Sequence, residues 1–579
     1  MANRKGIKYI WGPFRALLRN MSERNKVLAL SLVTGILCGL AAVLLKLAIN
    51  WITGSLDGAF HGSRWPWLFL PGLGMLICLL IVKFVVKDNI SHGVTKVLRA
   101  VSRNESRIKS HNVWSSMATS AITIGFGGSV GAEAPIVYTG AAIGSNLARY
   151  CGLGFRGMTM LLGCGAAGAL AGFFNAPLAG LLFTMEILFF NNALSSMLPL
   201  LVSSISATAV SYILLGRETI FNVALVEFSM QNIPYYLVLG IFCGLCSLYF
   251  LRTTLAMEDL IGKIKNDWLK WILCAAGVGL LIYFLPPLKG EGYESLVPML
   301  QNQETGAIWF FVLILLLKVF SMTFTNAGGG VGGTFGPTLF MGAIAGFIVA
   351  SGLNLIKPEL VPVPNFVLVG MAGLMAGVMQ APLTAIFLIA EICGGYELLF
   401  PLIIVATTSH GIMRIFEKYS IYTKRIAAAG ELLTHDSDQA VLTLMKTSSL
   451  LETDFSPVRE NDTLRSLVKA VESSKRNIFP VLDAKGRFQG IVSLADIRSD
   501  MFRTELYDSV HVRNYMKPVP EFIFEDEPMD SVMRKFEKSG AWNLPVLKEE
   551  DKTYLGFLSK SNIFNAYRES MKFVSPSDT

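Results

Sequence analysis

The sequence predicts an all-α polytopic membrane protein followed by a C-terminal α/β module. Of its 579 residues, 52% are hydrophobic and 16% are charged, whereas a typical soluble domain is about one quarter charged. Apolar segments recur between residues 27 and 415, and Gly or Pro interrupts several of them. From about residue 417 the chain becomes richly charged and alternates short β-type and helical patterns. Each of the two parts also contains an internal repeat.

The N-terminal segment, residues 1–26, is rich in Lys and Arg and has no small-residue cleavage site before the first apolar run. By the positive-inside rule we expect this segment, and both termini, on the cytoplasmic side of a prokaryotic plasma (inner) membrane. The net charge of +8 comes from scattered Lys and Arg, without the basic-aromatic pattern of a nucleic-acid surface. We therefore expect a lipid bilayer as the partner and expect no binding to nucleic acid.

Two segments of the membrane part recur further along the chain. Residues 127–144 (GGSVGAEAPIVYTGAAIG) match 329–346 (GGVGGTFGPTLFMGAIAG), and 165–187 match 370–392 at nearly the same spacing. Apolar segments interrupted by Gly and Pro at corresponding positions of two repeats are typical of transporters. They place a substrate site at the interface between the repeats.

Each copy of the first segment contains a Gly-rich turn, then Pro and an apolar helix, at Gly131–Pro135 and Gly333–Pro337. Such a helix start presents free N–H groups and roughly half a positive charge, so it binds small anions without a full cation. The alternative is that these glycines only allow close helix packing. Glu133 favours the anion site, because a carboxylate at membrane depth is costly. At this helix start it can take the anion's place, as gate and proton acceptor.

Four motifs together resemble the CLC family of chloride channels and chloride/proton antiporters: GAEAP (131–135), FNAPLAG (174–180), GTFGP (333–337) and SIYT (420–423). The resemblance covers about residues 30–570. It implies a homodimer in which each subunit moves chloride, and in the antiporters also protons, through its own path. Two inverted repeats of helices, many of them tilted or re-entrant, would build that path.

The resemblance also implies roles for individual residues. Glu133 matches the gating glutamate, and Tyr422 matches the tyrosine whose hydroxyl touches the central anion. The other positions expected at the anion are Gly131 and Gly333 in the turns, Phe335 and Gly336 as amide donors, and His92 at the inner mouth. His92 stands where the family usually has a serine. Its side chain could bind the anion or tie anion entry to pH, or it could point aside while a backbone amide binds.

The position matching the internal proton-relaying glutamate of the exchangers is Ile187, which cannot carry a proton. We expect the neighbouring Glu186 to serve structure at a helix end. A channel and a chloride/proton antiporter therefore both remain open. A fluoride-selective CLC-type exporter is a further alternative. Two residues argue against it: Tyr422, and His92, which stands at the inner-mouth position instead of a methionine.

The charged C-terminal part has its own repeat. Residues 477–497 and 543–563 each contain an apolar strand ending in Pro-Val-Leu, a polar turn, a second strand and a serine before a helix. The pattern resembles tandem cystathionine-β-synthase-type (CBS) domains, a frequent companion of the CLC family. In nucleotide-binding CBS pairs, residues near the end of the second strand contact ribose or phosphate, and here these match Ser493, Asp496, Ser559 and Asn562. One interpretation is an adenine nucleotide at the pair; the other is a ligand-free, dimerising pair that requires no cofactor.

The predicted domain boundaries follow from these patterns. In chain order they are a cytoplasmic segment at 1–26, a membrane domain at 27–425 with repeats at about 27–225 and 226–425, a linker at 426–449, CBS domains at 450–509 and 510–572, and a tail at 573–579.

Two other classes of function fit the sequence poorly. An intramembrane enzyme would need a nucleophile–base pair or a metal cluster, yet none of the six histidines lies in an HExxH motif. The GxSxG match around Ser129 has no serine in its second copy. We therefore expect no catalytic residue and no metal site. A membrane-anchored nucleotide sensor would not need duplicated intramembrane helices with a buried glutamate.

Overall fold

A computed structural model describes residues 21–60, 63–103, 105–188, 194–216, 226–301, 306–428, 445 and 447–574. The predicted N-terminal segment up to residue 20, most of the predicted linker and the end of the predicted tail lie outside the described residues. The chain divides into two units, Met1–Leu432 and Leu433–Thr579.

The first unit is built of α-helices. Those of the first repeat are α1 (Glu23–Phe60), α2 (Leu70–Leu80, continued by a π-helical turn at Ile81–Val86), α3 (Gly93–Arg103), α4 (Ser115–Gly125), α5 (Glu133–Tyr150), α6 (Phe155–Phe174), α7 (Pro177–Ile187) and α8 (Leu194–Leu215). Those of the second are α9 (Ile233–Gly262), α10 (Asp267–Phe284), α11 (Val297–Leu300), α12 (Ile308–Ala327), α13 (Phe335–Ile356), α14 (Val363–Met379), α15 (Pro382–Ile392), α16 (Leu399–Phe416) and α17 (Ile421–Ala428).

Helix lengths in this unit are mixed, as the interrupted apolar segments predict. Among the described residues, eight helices are long and apolar enough to cross a membrane, by length and composition. The helices α7 and α15 have only 11 residues each. At 1.5 Å per residue they extend about 17 Å, little more than half of the hydrocarbon layer. The predicted all-α membrane part with many apolar helices is confirmed.

Glycines allow the repeated helices to pack backbone to backbone. Gly140 of α5 faces Gly165 of α6, and a Cβ on either residue would overlap the other's carbonyl oxygen. Gly342 of α13 and Gly370 of α14 approach each other in the same way. These glycines therefore fit the helix-packing alternative. The turns before α5 and α13 have a different role.

The short helices α7 and α15 cap one another. Glu186, near the end of α7, accepts hydrogen bonds from the N–H groups of Leu383 (3.0 Å) and Thr384 (2.7 Å) at the start of α15. Glu391, at the matching position of α15, accepts from two N–H groups at the start of α7 (3.0 and 2.9 Å). A carboxylate there satisfies the free donors of a helix start and complements its dipole. The structural role predicted for Glu186 is confirmed.

The second unit contains two copies of one small α/β arrangement. The first copy has β1 (Val458–Arg459), α18 (Leu464–Ser473), β2 (Ile478–Leu482), β3 (Phe488–Ser493) and α19 (Leu494–Ile497). The second has β4 (Ile523–Phe524), α20 (Met529–Ser539), β5 (Asn543–Leu547), β6 (Tyr554–Ser559) and α21 (Lys560–Val574). In each sheet the first strand is parallel to the middle strand, which is antiparallel to the third. The sequence repeat is thus also a structural repeat.

Candidate anion pathway

The two Gly-rich turns before α5 and α13 meet. The N–H of Gly131 donates to the carbonyl of Gly333 (3.1 Å), and the N–H of Gly333 donates to the carbonyl of Gly131 (2.7 Å). This pair brings two helix N-termini together, as the duplicated motifs predict. It also corrects one expectation. The N–H groups of these two glycines join the turns to each other, so the donors left for an anion belong to the residues that follow.

Glu133 is the first residue of α5, and its side chain reaches the start of α13. The residue is 1% exposed. One carboxylate oxygen accepts a hydrogen bond from the N–H of Gly336 (3.2 Å), and the other accepts from the hydroxyl of Tyr293 (3.2 Å). A Cβ on Gly131 would lie 2.8 Å from the Gly336 nitrogen and would overlap the carboxylate. The carboxylate thus stands in front of a helix start, where a small anion would bind.

The side chain of Phe335 packs the start of α13 against neighbouring helices. Its ring stacks on that of Phe174, at the end of α6, with centroids 5.6 Å apart. The ring of Phe183 on α7 lies 6.3 Å away. Because Phe335 is buried among aromatic rings, the start of α13 and the Gly336 donor are held firmly relative to α6 and α7.

Tyr422 approaches from α17, near the end of the first unit. It is buried, and its hydroxyl lies 3.9 Å from the sulfur of Met379. The phenol also interacts electrostatically with Glu133. The hydroxyl thus lies at the end of α14, and the phenol is near enough to feel the charge of Glu133, although almost 300 residues separate the two in the sequence.

His92 lies immediately before α3 in a left-handed backbone conformation, with φ of +55°. The residue that follows, Gly93, packs against α5: a Cβ on Gly93 would lie 2.6 Å from the carbonyl oxygen of Ala134. The imidazole interacts electrostatically with Lys96 and Arg425. The residue after the predicted inner-mouth residue is thus packed against the same helix start as Glu133.

One part of the site, the loop at 288–293 (LKGEGY), was not predicted. The carboxylate of Glu291 accepts a hydrogen bond from the N–H of Ala132 (2.9 Å), the residue before α5. Lys318 of α12 is fully buried and donates to two carbonyl oxygens of the loop (3.1 and 2.9 Å). A signal was available, because Lys318 is a lone charge within an apolar helix and such a charge needs partners.

The chemistry of the site suits an anion and a proton. Its groups are backbone N–H donors, two tyrosine hydroxyls and a carboxylate that competes for the same donors. Within the described part of the chain, no cluster of three or more His, Cys, Asp or Glu side chains could hold a metal ion.

In the first CBS copy, Ser493 and Asp496 are bonded to each other. The Ser493 N–H and hydroxyl both donate to the Asp496 carboxylate (3.1 and 2.8 Å), and Lys517 lies 2.5 Å from its other oxygen. Burial by itself raises the pKa of Asp496, but the hydrogen bonds from Lys517 and Ser493 outweigh it, and the pKa is lowered.

In the second CBS copy, the predicted nucleotide contacts are also occupied by the chain itself. The hydroxyl of Ser559 donates to the carboxylate of Glu452, which also accepts from Arg476 (2.7 Å). The side-chain amide of Asn562 donates to the carbonyl of Leu450 (3.0 Å). A nucleotide at either position would have to replace these bonds.

The comparison with known families agrees with this geometry. A family model described as "Voltage gated chloride channel" matches residues 73–414, more than half of the chain. The protein belongs to this family. A CBS domain model matches residues 448–502 and 512–569, so this CLC protein carries a C-terminal CBS pair. The resemblance inferred from the motifs is confirmed.

Relatives of this CLC protein include both exchangers and channels. The H(+)/Cl(-) exchange transporter ClcA of Cronobacter sakazakii is 29% identical over 417 residues, 67% of this chain and 87% of that protein. The voltage-gated ClC-type chloride channel ClcB of Escherichia coli is 28% identical over 418 residues, 69% of this chain and 98% of that protein. The structure of a slow cyanobacterial Cl−/H+ antiporter is similar with a TM-score of 0.64 at 21% identity, covering 71% of this chain and 99% of that chain.

Proposed function

We propose that this CLC protein carries chloride across a membrane along a path that the Glu133 carboxylate opens and closes. One observation carries the proposal: the carboxylate accepts the Gly336 N–H at a helix start, where a small anion would bind. Docked and ionised, Glu133 blocks the path. Protonated or swung aside, it leaves the donors to chloride. Amide donors hold a weakly basic anion without a full cation, so the anion can also leave.

In this proposal the other residues have distinct tasks. The backbones of Phe335 and Gly336 and the hydroxyl of Tyr422 hold the anion. His92 lines its inner entrance. The Gly131–Gly333 pair joins the two helix starts, and its lack of side chains leaves room for the carboxylate or the anion.

The test is chloride efflux from liposomes that contain the purified full-length protein, measured between pH 4.5 and 8. Wild-type efflux should rise as the pH falls, because protonation releases the carboxylate from the amides. Glu133→Gln should carry chloride at all these pH values with little change in rate. Glu359→Gln, at an exposed loop position, is the matched control and should behave as wild type. Equal pH dependence in wild type and Glu133→Gln would refute the gate.

Within this function the structure favours passive flow over proton exchange. Ile187 is buried and cannot take a proton, and the Glu186 carboxylate is bonded to the start of α15. An exchanger would have to deliver protons to Glu133 through water from the inside. The pH outside the liposomes separates the two modes. Passive flow leaves it constant during efflux, whereas exchange drives protons against their gradient.

The same liposomes test the alternative of a fluoride-selective exporter. A fluoride-selective exporter would move fluoride much faster than chloride, whereas a site made of the tyrosine hydroxyl and the helix-start amides should move chloride at a comparable or higher rate.

Calorimetric titration of the full-length protein with AMP and ATP tests the CBS pair. We propose the ligand-free alternative, because all four predicted contacts have intrachain partners, so neither titration should show saturable heat.

By family membership we propose a homodimer in a prokaryotic inner membrane with cytoplasmic termini. The mass of the detergent-solubilised protein, corrected for bound detergent, tests the oligomeric state. Protease accessibility of the CBS unit in sealed inside-out vesicles tests the orientation.

A further inference from the structure

The loop Gly290–Tyr293, hereafter the 290–293 loop, is anchored on both sides of the gate. On one side, Lys318 donates to the Gly290 carbonyl (2.9 Å). The residue before the loop, Lys289, pairs with Asp57 at the end of α1 (3.2 Å). On the other side, a Cβ on Gly292 would lie 2.6 Å from the ring of Phe340 on α13. The loop is therefore held in a fixed position relative to α1, α12 and α13.

Two side chains of the 290–293 loop reach the start of α5. The Tyr293 hydroxyl donates to the Glu133 carboxylate (3.2 Å). The Glu291 carboxylate accepts from the N–H of Ala132 (2.9 Å) and interacts electrostatically with Glu133. One residue thus donates to the Glu133 carboxylate, and the other brings a second carboxylate to the residue that precedes Glu133.

A buried lysine lies beside Glu291. Lys318 is fully buried and donates to the carbonyl of Gly290, the residue before Glu291 (2.9 Å); Lys46 is a second cation with an electrostatic effect on Glu291. Among the described residues, the titratable groups with an effect on Glu133 include Glu291 and Tyr293, and Glu133 in turn acts on Tyr422. Without the charge of Glu291, the positive field of Lys318 would be less compensated and would favour an ionised Glu133.

We propose that Tyr293 and Glu291 are positioning residues that set the closed state of the gate in opposite directions. Tyr293 holds the ionised Glu133 carboxylate in the place of the anion, and Glu291 opposes that state by charge repulsion. This inference rests on the proposed function, because both residues act only through the carboxylate of Glu133.

The experiment measures chloride efflux from liposomes against pH for single and double variants. Tyr293→Phe removes the hydroxyl and keeps the ring. Efflux at neutral pH should rise about tenfold, which corresponds to the loss of one hydrogen bond to a charged group, and the midpoint of acid activation should move about one pH unit upward. Glu291→Gln keeps an acceptor for the Ala132 N–H but loses the charge. Its efflux should fall, and its activation midpoint should move to lower pH.

The controls separate positioning from a general structural effect. Tyr249→Phe likewise removes a tyrosine hydroxyl, but this one donates to the carbonyl of Leu316 (2.8 Å) and not to Glu133. Its efflux should match wild type. In the Glu133→Gln background, neither Tyr293→Phe nor Glu291→Gln should change efflux.

Four results would overturn the proposal. Shifts of both variants in the same direction, or shifts that persist in the Glu133→Gln background, would show a structural effect. Wild-type behaviour of both variants, with Glu133→Gln still altering efflux, would reject the positioning roles and leave the gate intact. If neither wild type nor Glu133→Gln moves chloride, fluoride or another small anion, the proposed function itself fails, and the positioning roles fail with it.

Discussion

Replacing Gly346 by alanine should destabilise the membrane unit, although alanine is the better helix former. A Cβ at this position of α13 would lie 2.6 Å from the carbonyl carbon of Phe366 and 2.9 Å from the Cα of Val367, both in the backbone of α14. Carbon atoms in contact are normally 3.5–4.0 Å apart, so α13 and α14 would have to separate by roughly 1 Å. Backbone atoms cannot rotate away as a side chain can. The overpacking should cost about 1–3 kcal/mol.

The same helix provides the matched control. Gly352 lies six residues further along α13, and no atom lies within 4 Å of a Cβ built there. Gly352→Ala should therefore be neutral or stabilise the helix by about 0.5–1 kcal/mol. Thermal unfolding in detergent, followed by scanning fluorimetry, compares the two variants. A Gly346→Ala protein that unfolds at or above the wild-type temperature would refute the backbone-to-backbone packing of α13 on α14.

Two further predictions concern charged side chains that stabilise each unit from within: Glu186 and Glu391 in the first unit, and Asp496 in the second. Glu186→Gln and Glu391→Gln should each destabilise the α7–α15 pair by about 1–2 kcal/mol, and by similar amounts because their contacts are reciprocal; a lowered unfolding temperature in only one variant would contradict this. Because the pKa of Asp496 is lowered in the folded CBS unit, its contribution to stability is present above the unfolded value of about 3.9 and is lost as the pH falls through the folded value. The protection factors of the β2–β3 amides, which are exchange rates corrected for the pH dependence of intrinsic exchange, should therefore fall below about pH 4 in wild type. Asp496→Asn should show less of this acid dependence; the same fall in both proteins would contradict it.

The sequence predicts the parts of the site that depend on local chemistry. Gly-rich turns before Pro-containing helix starts, two copies of them, and one carboxylate in the first are visible in 127–135 and 329–337. Each follows from rules that act over a few residues, such as free N–H groups at helix starts and the cost of a charge at membrane depth. The carboxylate of Glu133 therefore lies where these rules place it.

The parts that were not predicted depend on contacts between distant residues. Glu291 and Ala132 are 159 positions apart, and no local pattern indicates that the 290–293 loop folds against α5. In the same way, the sequence predicts an anion site at the turns, but the mutual hydrogen bonds of Gly131 and Gly333 follow only from how the two repeats meet. Such contacts are set by tertiary packing, which a periodic pattern within one segment does not specify.

The most direct test of the gate is the position of a bound anion in a variant without the carboxylate. Crystals of Glu133→Ala soaked in bromide, measured at the bromine absorption edge, would locate the anion by its anomalous scattering. If Glu133 is the gate, bromide should lie within hydrogen-bonding distance of the Gly336 N–H, in the space that the Glu133 carboxylate occupies in the native protein. Bromide bound elsewhere in the membrane unit, with that space left to water, would contradict the claim that Glu133 stands in the anion's place.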